Sequence, residues 1–304
     1  MGFALIIRAY RQKKMLGITL ALLSAVASGF AVVIVGRHSN KSNAFNMSLL
    51  ISVVGLFILW PLAIVVTDFS SVNFIGIALF GVGGLLTPGL VRLFYYNGLK
   101  KLGASVNSSI FSIYPLYTAL FAVIFLSEFL SPQNFLGILL IALGVIVVEL
   151  NFRNANGRGK PFVGSLVFPV LGGLMLGISA IIRKAALDIF NAPVLGVAVA
   201  YTFTFLLYTT VIATSKNTRK ELSLRRDTRL FWLAGVGQAL SWILSFYALS
   251  LEKVSIITPL LSVEPLFVVM LAAVYMREQE RVSFKLVTGM ILTFVGVVLI
   301  TTAI

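Results

Sequence analysis

The chain has 304 residues, of which 59% are hydrophobic and 11% are charged, and its mean hydropathy is +1.02. A soluble domain of this length cannot bury so much apolar surface, so the composition indicates a polytopic α-helical membrane protein. A net charge of +14 would suggest nucleic-acid binding in a soluble protein, but here most Lys and Arg residues lie in short connections between apolar runs. There they set topology and contact lipid headgroups, so no nucleic-acid partner is expected.

The sequence has almost none of the residues that thiol chemistry and metal binding require. The sequence has no cysteine and a single histidine, His38. This excludes a disulfide framework, a thiol nucleophile, a thiolate metal site and a multi-histidine metal site. We therefore predict that the protein uses neither a metal nor a cofactor.

The chain begins with a basic segment, residues 1–14, that carries four Lys or Arg residues ahead of an apolar run. Residues 25–27, Ala-Val-Ala, resemble a signal-peptidase site. The apolar run continues to about Val35, however, which is too long for the apolar region of a signal peptide. We therefore expect a retained first helix.

Apolar runs of about 20 residues, separated by short polar connections, predict ten membrane-spanning helices. They lie near residues 15–36, 44–67, 72–98, 104–127, 132–150, 161–184, 192–214, 229–250, 254–276 and 284–303. The polar, Gly- and Asn-rich stretch 151–160 is the best internal boundary. A second candidate, 215–229, carries six basic residues but falls between helices of one half.

Internal repetition supports a boundary at the linker 151–160. Shifting the chain by 150 residues aligns the segment 109–128 with the segment 259–278. The aligned pairs include Pro115 with Pro265 and Glu128 with Glu278.

The repeat divides the protein into a first half, residues 15–150, and a second half, residues 161–304. Each half has five predicted helices, and five is odd, so the second half enters the membrane in the opposite direction to the first. The predicted fold class is therefore an all-α membrane protein of ten transmembrane helices, built as two inverted five-helix repeats.

The second part of each half resembles the EamA-type transporters of the drug/metabolite transporter superfamily. The residues that carry this resemblance are GLKKLGASVNSSIFSIYPLYTALFAVIFLSEFL (98–130) and GILLIALGVIVV (137–148), which recur as ALSLEKVSIITPLLSVEPLFVVMLAAVYMRE (248–278) and GMILTFVGVVLI (289–300). The resemblance implies a ten-helix inverted repeat with a central cavity, lined largely by spans three, four, eight and nine together with spans one and six. The family moves amino acids, nucleotide sugars, drugs and other metabolites, so membership does not name the cargo.

The orientation in the membrane is open. The odd-numbered loops carry more Lys and Arg than the opposite side, where Arg183 and Lys184 are counted in the connection after the sixth span. The positive-inside rule then places both termini outside the cell. The four basic residues ahead of the first span instead favour a cytoplasmic N-terminus, and the resemblance implies that both termini are cytoplasmic.

The segment 255–278 is the first candidate for a binding site because it carries Glu264 directly before Pro265. A carboxylate at the centre of a span costs about 3 kcal/mol on insertion scales, so Glu264 should face protein or water. Glu264 either fixes helix packing or coordinates substrate or a coupling proton. Prolines remove backbone donors, so helix breaks are predicted at Pro115, Pro259 and Pro265.

Further candidates lie on other spans. Arg92 either snorkels to the interface or gives the cavity a cation. Asn107 and Ser108, in a serine-rich stretch, either belong to a polar wall or lie beside serines that bond to their own helix. Tyr114 is the repeat counterpart of Glu264.

The eighth span offers a polar face with i, i+3, i+4 and i+7 spacing, made of Gln238, Ser241, Trp242 and Ser245. Trp242 would also fit an interfacial aromatic belt. Glu128 and Glu278 end their spans and are interpreted as structural caps or gate contacts.

The sequence predicts a secondary transporter of a small metabolite or drug-like solute, working by alternating access in the cell membrane. The phosphate-binding motif G-x-x-x-x-G-K-[ST] is absent, which argues against ATP drive within this chain. An intramembrane enzyme is disfavoured because Asp68, Asp188 and Asp227 are all expected in loops. A non-transporting receptor is the other alternative. The expected partners are a small solute and the lipid bilayer, and the oligomeric state is open, a monomer included.

Overall fold

The computed structural model describes residues 2–38, 44–102, 107, 110–151, 163–215, 229–275 and 284–303. Within these ranges the chain is helical, with turns and short connections and without a β-strand. The α-helices are α1 (Gly2–His38), α2 (Ala44–Val66), α3 (Phe74–Gly84), α4 (Val91–Leu102), α5 (Tyr114–Leu126), α6 (Pro132–Asn151), α7 (Val167–Ile189), α8 (Pro193–Thr214), α9 (Arg229–Leu251), α10 (Val254–Leu261), α11 (Glu264–Tyr275) and α12 (Phe284–Thr302). Short 3-10 turns cover Phe69–Ser71 and Val163–Leu166.

Six helical stretches in the described ranges are long and apolar enough to cross a membrane: Arg11–Val35, Phe45–Val66, Phe74–Tyr95, Gly164–Ile189, Pro193–Thr214 and Trp232–Leu251. Four shorter apolar helices occupy the places of the remaining predicted spans: Tyr114–Leu126, Pro132–Val148, Val254–Val268 and Val287–Thr302. Large apolar side chains cover the outer surface. Phe57 is 71% exposed and Phe74 is 82% exposed. Such an exterior suits lipid, because lipid tails solvate these side chains as well as a protein core does.

The two halves meet in a reciprocal crossing of α6 with α12. A Cβ added at Gly144 would lie 2.7 Å from the Gly289 carbonyl oxygen, and one added at Gly137 would lie 2.9 Å from that of Gly296. The two helices therefore run antiparallel with their backbones in contact. Gly137 and Gly144 are the repeat counterparts of Gly289 and Gly296. Equivalent residues thus contact each other crosswise, which is the geometry expected of two inverted repeats.

The third predicted span is divided by a π-helical turn, Leu85–Leu90, between α3 and α4. Thr87 leaves helical geometry, with φ −139° and ψ 121°. The cause is Pro88, which lacks an amide N–H and disfavours helical geometry in the preceding residue. Neighbouring hydroxyls satisfy the backbone here: Ser179 Oγ donates to the Gly83 oxygen (3.0 Å), Thr204 Oγ1 to the Gly84 oxygen (2.9 Å) and Tyr208 OH to the Pro88 oxygen (3.2 Å).

Two further breaks fall at matching positions of the repeats, at residues 112–113 before α5 and at 262–263 before α11. Pro115 and Pro265 are each the second residue of the helix that follows, where a missing N–H costs little. Pro259 lies within α10 and not at a break. The Ser262 hydroxyl donates to the carbonyl oxygen of Pro259 at 2.7 Å.

The sixth span ends later than predicted, because α7 continues to Ile189. Arg183, Lys184 and Asp188 therefore belong to a helix, and their expected place in a loop is wrong. Lys184 Nζ pairs with Asp188 Oδ1 at 3.1 Å, the i, i+4 spacing that supports a helix. Asp68 does lie in a connection, before the Phe69–Ser71 turn, and Asp227 falls outside the described residues.

The α6–α12 crossing predicts a destabilised Gly144→Ala variant. The added Cβ would lie 2.3 Å from Thr293 Oγ1 and 2.7 Å from the Gly289 oxygen, so the helices must separate. Overpacking of this kind costs about 1–3 kcal/mol. We expect a lower thermal unfolding midpoint for the purified protein in detergent. Gly173→Ala is the matched control, since the nearest atom to its added Cβ is 3.4 Å away. Equal midpoints for the two variants would contradict the crossing.

Candidate functional site

A cavity of about 170 Å³ lies where helices of both repeats meet. Its walls come from α1 and α5 of the first repeat and from α7, α9, α10 and α11 of the second. Ser24 and Ser28 face it from α1. The Ser24 hydroxyl also lies 3.0 Å from the Ser241 hydroxyl, which joins α1 to α9 at the cavity wall.

Six of the residues predicted to bind substrate line this cavity: Glu264, Tyr114, Gln238, Ser241, Trp242 and Ser245. The last four come from the single α9 face whose spacing indicated a shared surface. Trp242 is only 9% exposed and packs against Tyr201 and Phe246, with ring centroids 6.3 Å and 6.0 Å away. Its alternative place in an interfacial belt is therefore wrong.

Two of the other predicted binding residues, Arg92 and Asn107, do not line the cavity. Arg92 lies in α4, beyond the break at Pro88, and interacts electrostatically with Tyr201 of α8. Asn107 is fully buried, and its Nδ2 donates to the Tyr95 carbonyl oxygen at 3.1 Å, so its amide serves the packing of α4. Ser108 and Glu278 lie outside the described residues.

The cation that does line the cavity is Arg183, on α7. It is 5% exposed, and its Nε donates to the Ser179 carbonyl oxygen at 3.1 Å. Its guanidinium carbon lies 4.9 Å from the centroid of the Trp242 ring and 5.8 Å from that of Phe246. Both distances suit cation–π contacts.

Sequence reasoning missed Arg183 because it let the pair Arg183-Lys184 end the sixth span. One signal was available. Lys184 and Asp188 stand at i, i+4 spacing, which favours a helix that continues past them. In a continued helix Arg183 shares a face with Leu176 and Ala180, at i+7 and i+3, and both of these residues line the cavity.

The carboxylate of the cavity, Glu264, is the first residue of α11, directly after the break at 262–263. The Ser28 hydroxyl donates a hydrogen bond to it from α1. Its repeat counterpart Tyr114 is likewise the first residue of α5, and its hydroxyl approaches the Thr258 carbonyl oxygen at 3.5 Å. The two breaks thus present equivalent positions to one cavity, with different side chains.

The two charges of the cavity are not paired with each other. Within the described part of the chain no ion pair of 4.0 Å or less joins Arg183 to Glu264. Tyr114 interacts electrostatically with both. The cavity therefore offers a cation, a carboxylate and a phenol, with hydroxyls and a tryptophan around them. Such a site can bind a small polar or charged solute in a fixed orientation.

Glu128 lies outside the cavity and caps a helix of the other repeat. Its Oε1 accepts from the Val254 amide at 2.9 Å, and its Oε2 accepts from the Ser255 amide at 3.0 Å and from the Ser255 hydroxyl. A carboxylate there satisfies amides at the start of α10 and complements the helix dipole. Lys253 Nζ donates to the Phe129 oxygen at 3.2 Å beside it. These contacts join the two repeats at the end of α5.

Two segments of the chain, residues 15–150 and 164–302, match the model of the EamA-like transporter family. The chain belongs to the EamA-like transporter family. The members of this family are transporters and not enzymes, and the family model matches the chain once in each repeat.

The fold of this EamA-like chain is shared by a solved protein whose title reads only "Crystal structure of protein". The TM-score is 0.73 at 16% sequence identity, with 96% of this chain and 98% of that chain covered. At this identity the likeness shows the fold alone. No curated protein matches the sequence.

The cap on α10 predicts that Glu128→Ala is destabilising. The change leaves the amides of Val254 and Ser255 without their acceptor, and an unsatisfied buried donor costs about 1–3 kcal/mol. We expect a lower thermal unfolding midpoint. Asp188→Ala is the control, because Asp188 is 55% exposed in its ion pair and such pairs contribute about 0–1 kcal/mol. A Glu128→Ala midpoint no lower than that of Asp188→Ala would contradict the cap.

Proposed function

We propose that this EamA-like protein is a secondary transporter that carries a small metabolite across the cell membrane by alternating access. The observation that carries the proposal is the cavity between the repeats, where a buried arginine and a partly buried glutamate face the same space without pairing. Charged side chains are costly at membrane depth, so they mark solute pathways more often than packing. Family membership supports transport as the activity.

The size of the cavity favours a solute smaller than a typical drug. Pockets for drug-sized ligands measure about 300–1,000 Å³, whereas this cavity has about 170 Å³. A metabolite with few heavy atoms would fill it and reach both charges. A drug-like solute would require a wider conformation than the one described.

The topology that we propose has ten membrane-spanning segments. The six long apolar helices supply six spans, and the four shorter ones supply the rest, with α10 and α11 forming one interrupted span. An even number of spans places both termini on one side. Contact between the two ends of the chain supports this, since Lys14 Nζ donates to the carbonyl oxygen of Ala303.

Alternating access requires that the contacts joining the repeats at one end can open. The contacts of Glu128 with α10 and of Lys253 with Phe129 hold such an end together. Each consists of hydrogen bonds to the start or end of a helix, and not of a large apolar interface. Rocking of one repeat against the other would break few hydrogen bonds here.

Cross-linking tests the opening of this end. The chain has no native cysteine, so Phe129→Cys with Lys253→Cys creates one thiol pair. A short thiol-specific bifunctional reagent would hold the end of α5 to the start of α10. We expect solute flux in proteoliposomes to stop on cross-linking and to return after cleavage of the reagent. The two single-cysteine variants, treated alike, are the controls. Undiminished flux in the cross-linked protein would rule out opening at this end.

A coupling proton is the role that we propose for Glu264, whose carboxylate receives a hydrogen bond from Ser28 and faces the cavity. Glu264→Gln keeps the shape and removes the titration. We expect uptake by this variant to lose its dependence on an imposed pH gradient, while wild-type uptake follows the gradient. Asp188→Asn, on the exposed end of α7, is the control. A pH profile shared by wild type and Glu264→Gln would exclude the proton role.

A receptor without transport is the alternative function. It would bind a solute in the same cavity and show no flux. Counterflow in proteoliposomes separates the two functions, because a preloaded solute accelerates entry of labelled solute only through a transporter.

A further inference from the structure

We propose that Arg183 binds an anionic group of the transported solute, and that it thereby makes the cavity selective for small solutes that carry a carboxylate or a similar anion. The proposal rests on the proposed function, in which the cavity is the solute site. Arg183 is the specificity-determining residue, and Arg92, the other candidate cation, does not line the cavity.

The guanidinium of Arg183 is held in place before any solute binds. Its Nε donates to the Ser179 oxygen at 3.1 Å, and its guanidinium carbon lies over the Trp242 ring, 4.9 Å from the ring centroid. Its stem passes close to Gly83, where an added Cβ would lie 3.1 Å from the Arg183 Cγ. A group held at three points loses little conformational entropy when it binds a ligand, which favours binding.

The charge of Arg183 has no carboxylate partner in the part of the chain that the structure describes. Among the described residues its hydrogen bond is the one from Nε, and no carboxylate lies within 4.0 Å of it. The two terminal nitrogens of the Arg183 guanidinium thus have no hydrogen-bond acceptor among the described residues. Buried charges are normally paired, so a cation of this kind at a cavity wall points to an anion supplied from outside.

The remaining cavity walls direct an anion to this end. Glu264 carries the opposite charge at another wall and repels an anionic group from its own neighbourhood. Tyr114 interacts electrostatically with both charged residues. A solute that places its anion on the Arg183 fork presents its remaining groups to Tyr114, Thr258 and Glu264. The Thr258 hydroxyl is buried and has no hydrogen-bond partner among the residues described, so it can accept a further polar contact.

A purely structural arginine would behave differently from a binding one. If Arg183 only packed against Trp242 and Phe246, its replacement would change stability and affect all solutes alike. If it binds an anion, replacement must separate anionic solutes from their uncharged and cationic analogues. Lysine supplies a point charge without the planar fork, so Arg183→Lys should bind the anion more weakly than wild type.

The experiment measures binding by the fluorescence of Trp242 in the full chain in detergent. The sequence has three tryptophans, so Trp60→Phe with Trp232→Phe leaves Trp242 as the reporter beside Arg183. The probes are matched sets of small solutes: amino acids with their decarboxylated amines and deaminated acids, and phosphate esters and sulfonates with their alcohols. Arg183→Gln and Arg183→Lys are compared with Lys184→Gln, which removes the adjacent cation outside the cavity.

We expect at least one anionic probe to bind, and its Kd to rise by about tenfold or more in Arg183→Gln, as befits loss of a bidentate charged pair. Arg183→Lys should give an intermediate Kd, and Lys184→Gln should match the parent. Probes without the anion should bind weakly to all variants. Failure of every anionic probe to bind, or equal Kd values across the variants, overturns the proposal. If Arg183→Gln does not fold, the Arg183→Lys series decides alone.

Counterflow in proteoliposomes separates this proposal from the transporter proposal. Flux of anionic solutes that Arg183→Lys leaves unchanged would leave transport standing and overturn the anion role. If an anionic probe changes Trp242 fluorescence but shows no flux, the anion-binding role stands and the transporter proposal falls. That result would favour the receptor alternative.

Discussion

Hydrogen bonding of the backbone at two helix breaks, near Pro88 and at 262–263, is the constraint on which the rest of this structure depends. Inside a bilayer, an amide or carbonyl that leaves helical geometry needs a partner within the protein. Hydroxyls on α7 and α8 supply it at the break near Pro88, and Ser262 supplies one after Pro259. Because these partners come largely from neighbouring helices, the breaks are tied to one packing arrangement. The same breaks create the places where functional side chains can stand.

The inverted repeat places two equivalent residues with different side-chain chemistry at one cavity. Tyr114 and Glu264 are equivalent residues, each the first of a helix after a break, and both face the cavity. The crossing of α6 with α12 is symmetric, because its glycines contact each other reciprocally. The third span is broken near Pro88, whereas its counterpart α9 is continuous. The side chains that line the cavity also differ between the repeats. A solute with two unlike ends suits such a cavity better than a symmetric one.

The role of a charged side chain in this protein depends on the residues that surround it. Arg92 and Arg183 are both arginines within apolar helices. Arg183 is held against Trp242 and lines the cavity, whereas Arg92 lies in α4, which packs with α7 and the π-helical turn. Glu128 shows a third use of charge, since its carboxylate serves the amides at the start of α10. Charge alone therefore does not identify a solute ligand, whereas its neighbours do.

The sequence sufficed for the helical class, the repeat and the family, because apolar run length and 150-residue self-similarity are properties of the chain itself. It also sufficed for the α9 face and Glu264, since helical spacing puts side chains on one side whatever they contact. Arg183 was mistaken for a loop residue and Asn107 for a candidate cavity residue. The end of α7 and the carbonyl that Asn107 reaches depend on which helices pack together. Those contacts bring together residues far apart in the chain, and only the tertiary structure decided them.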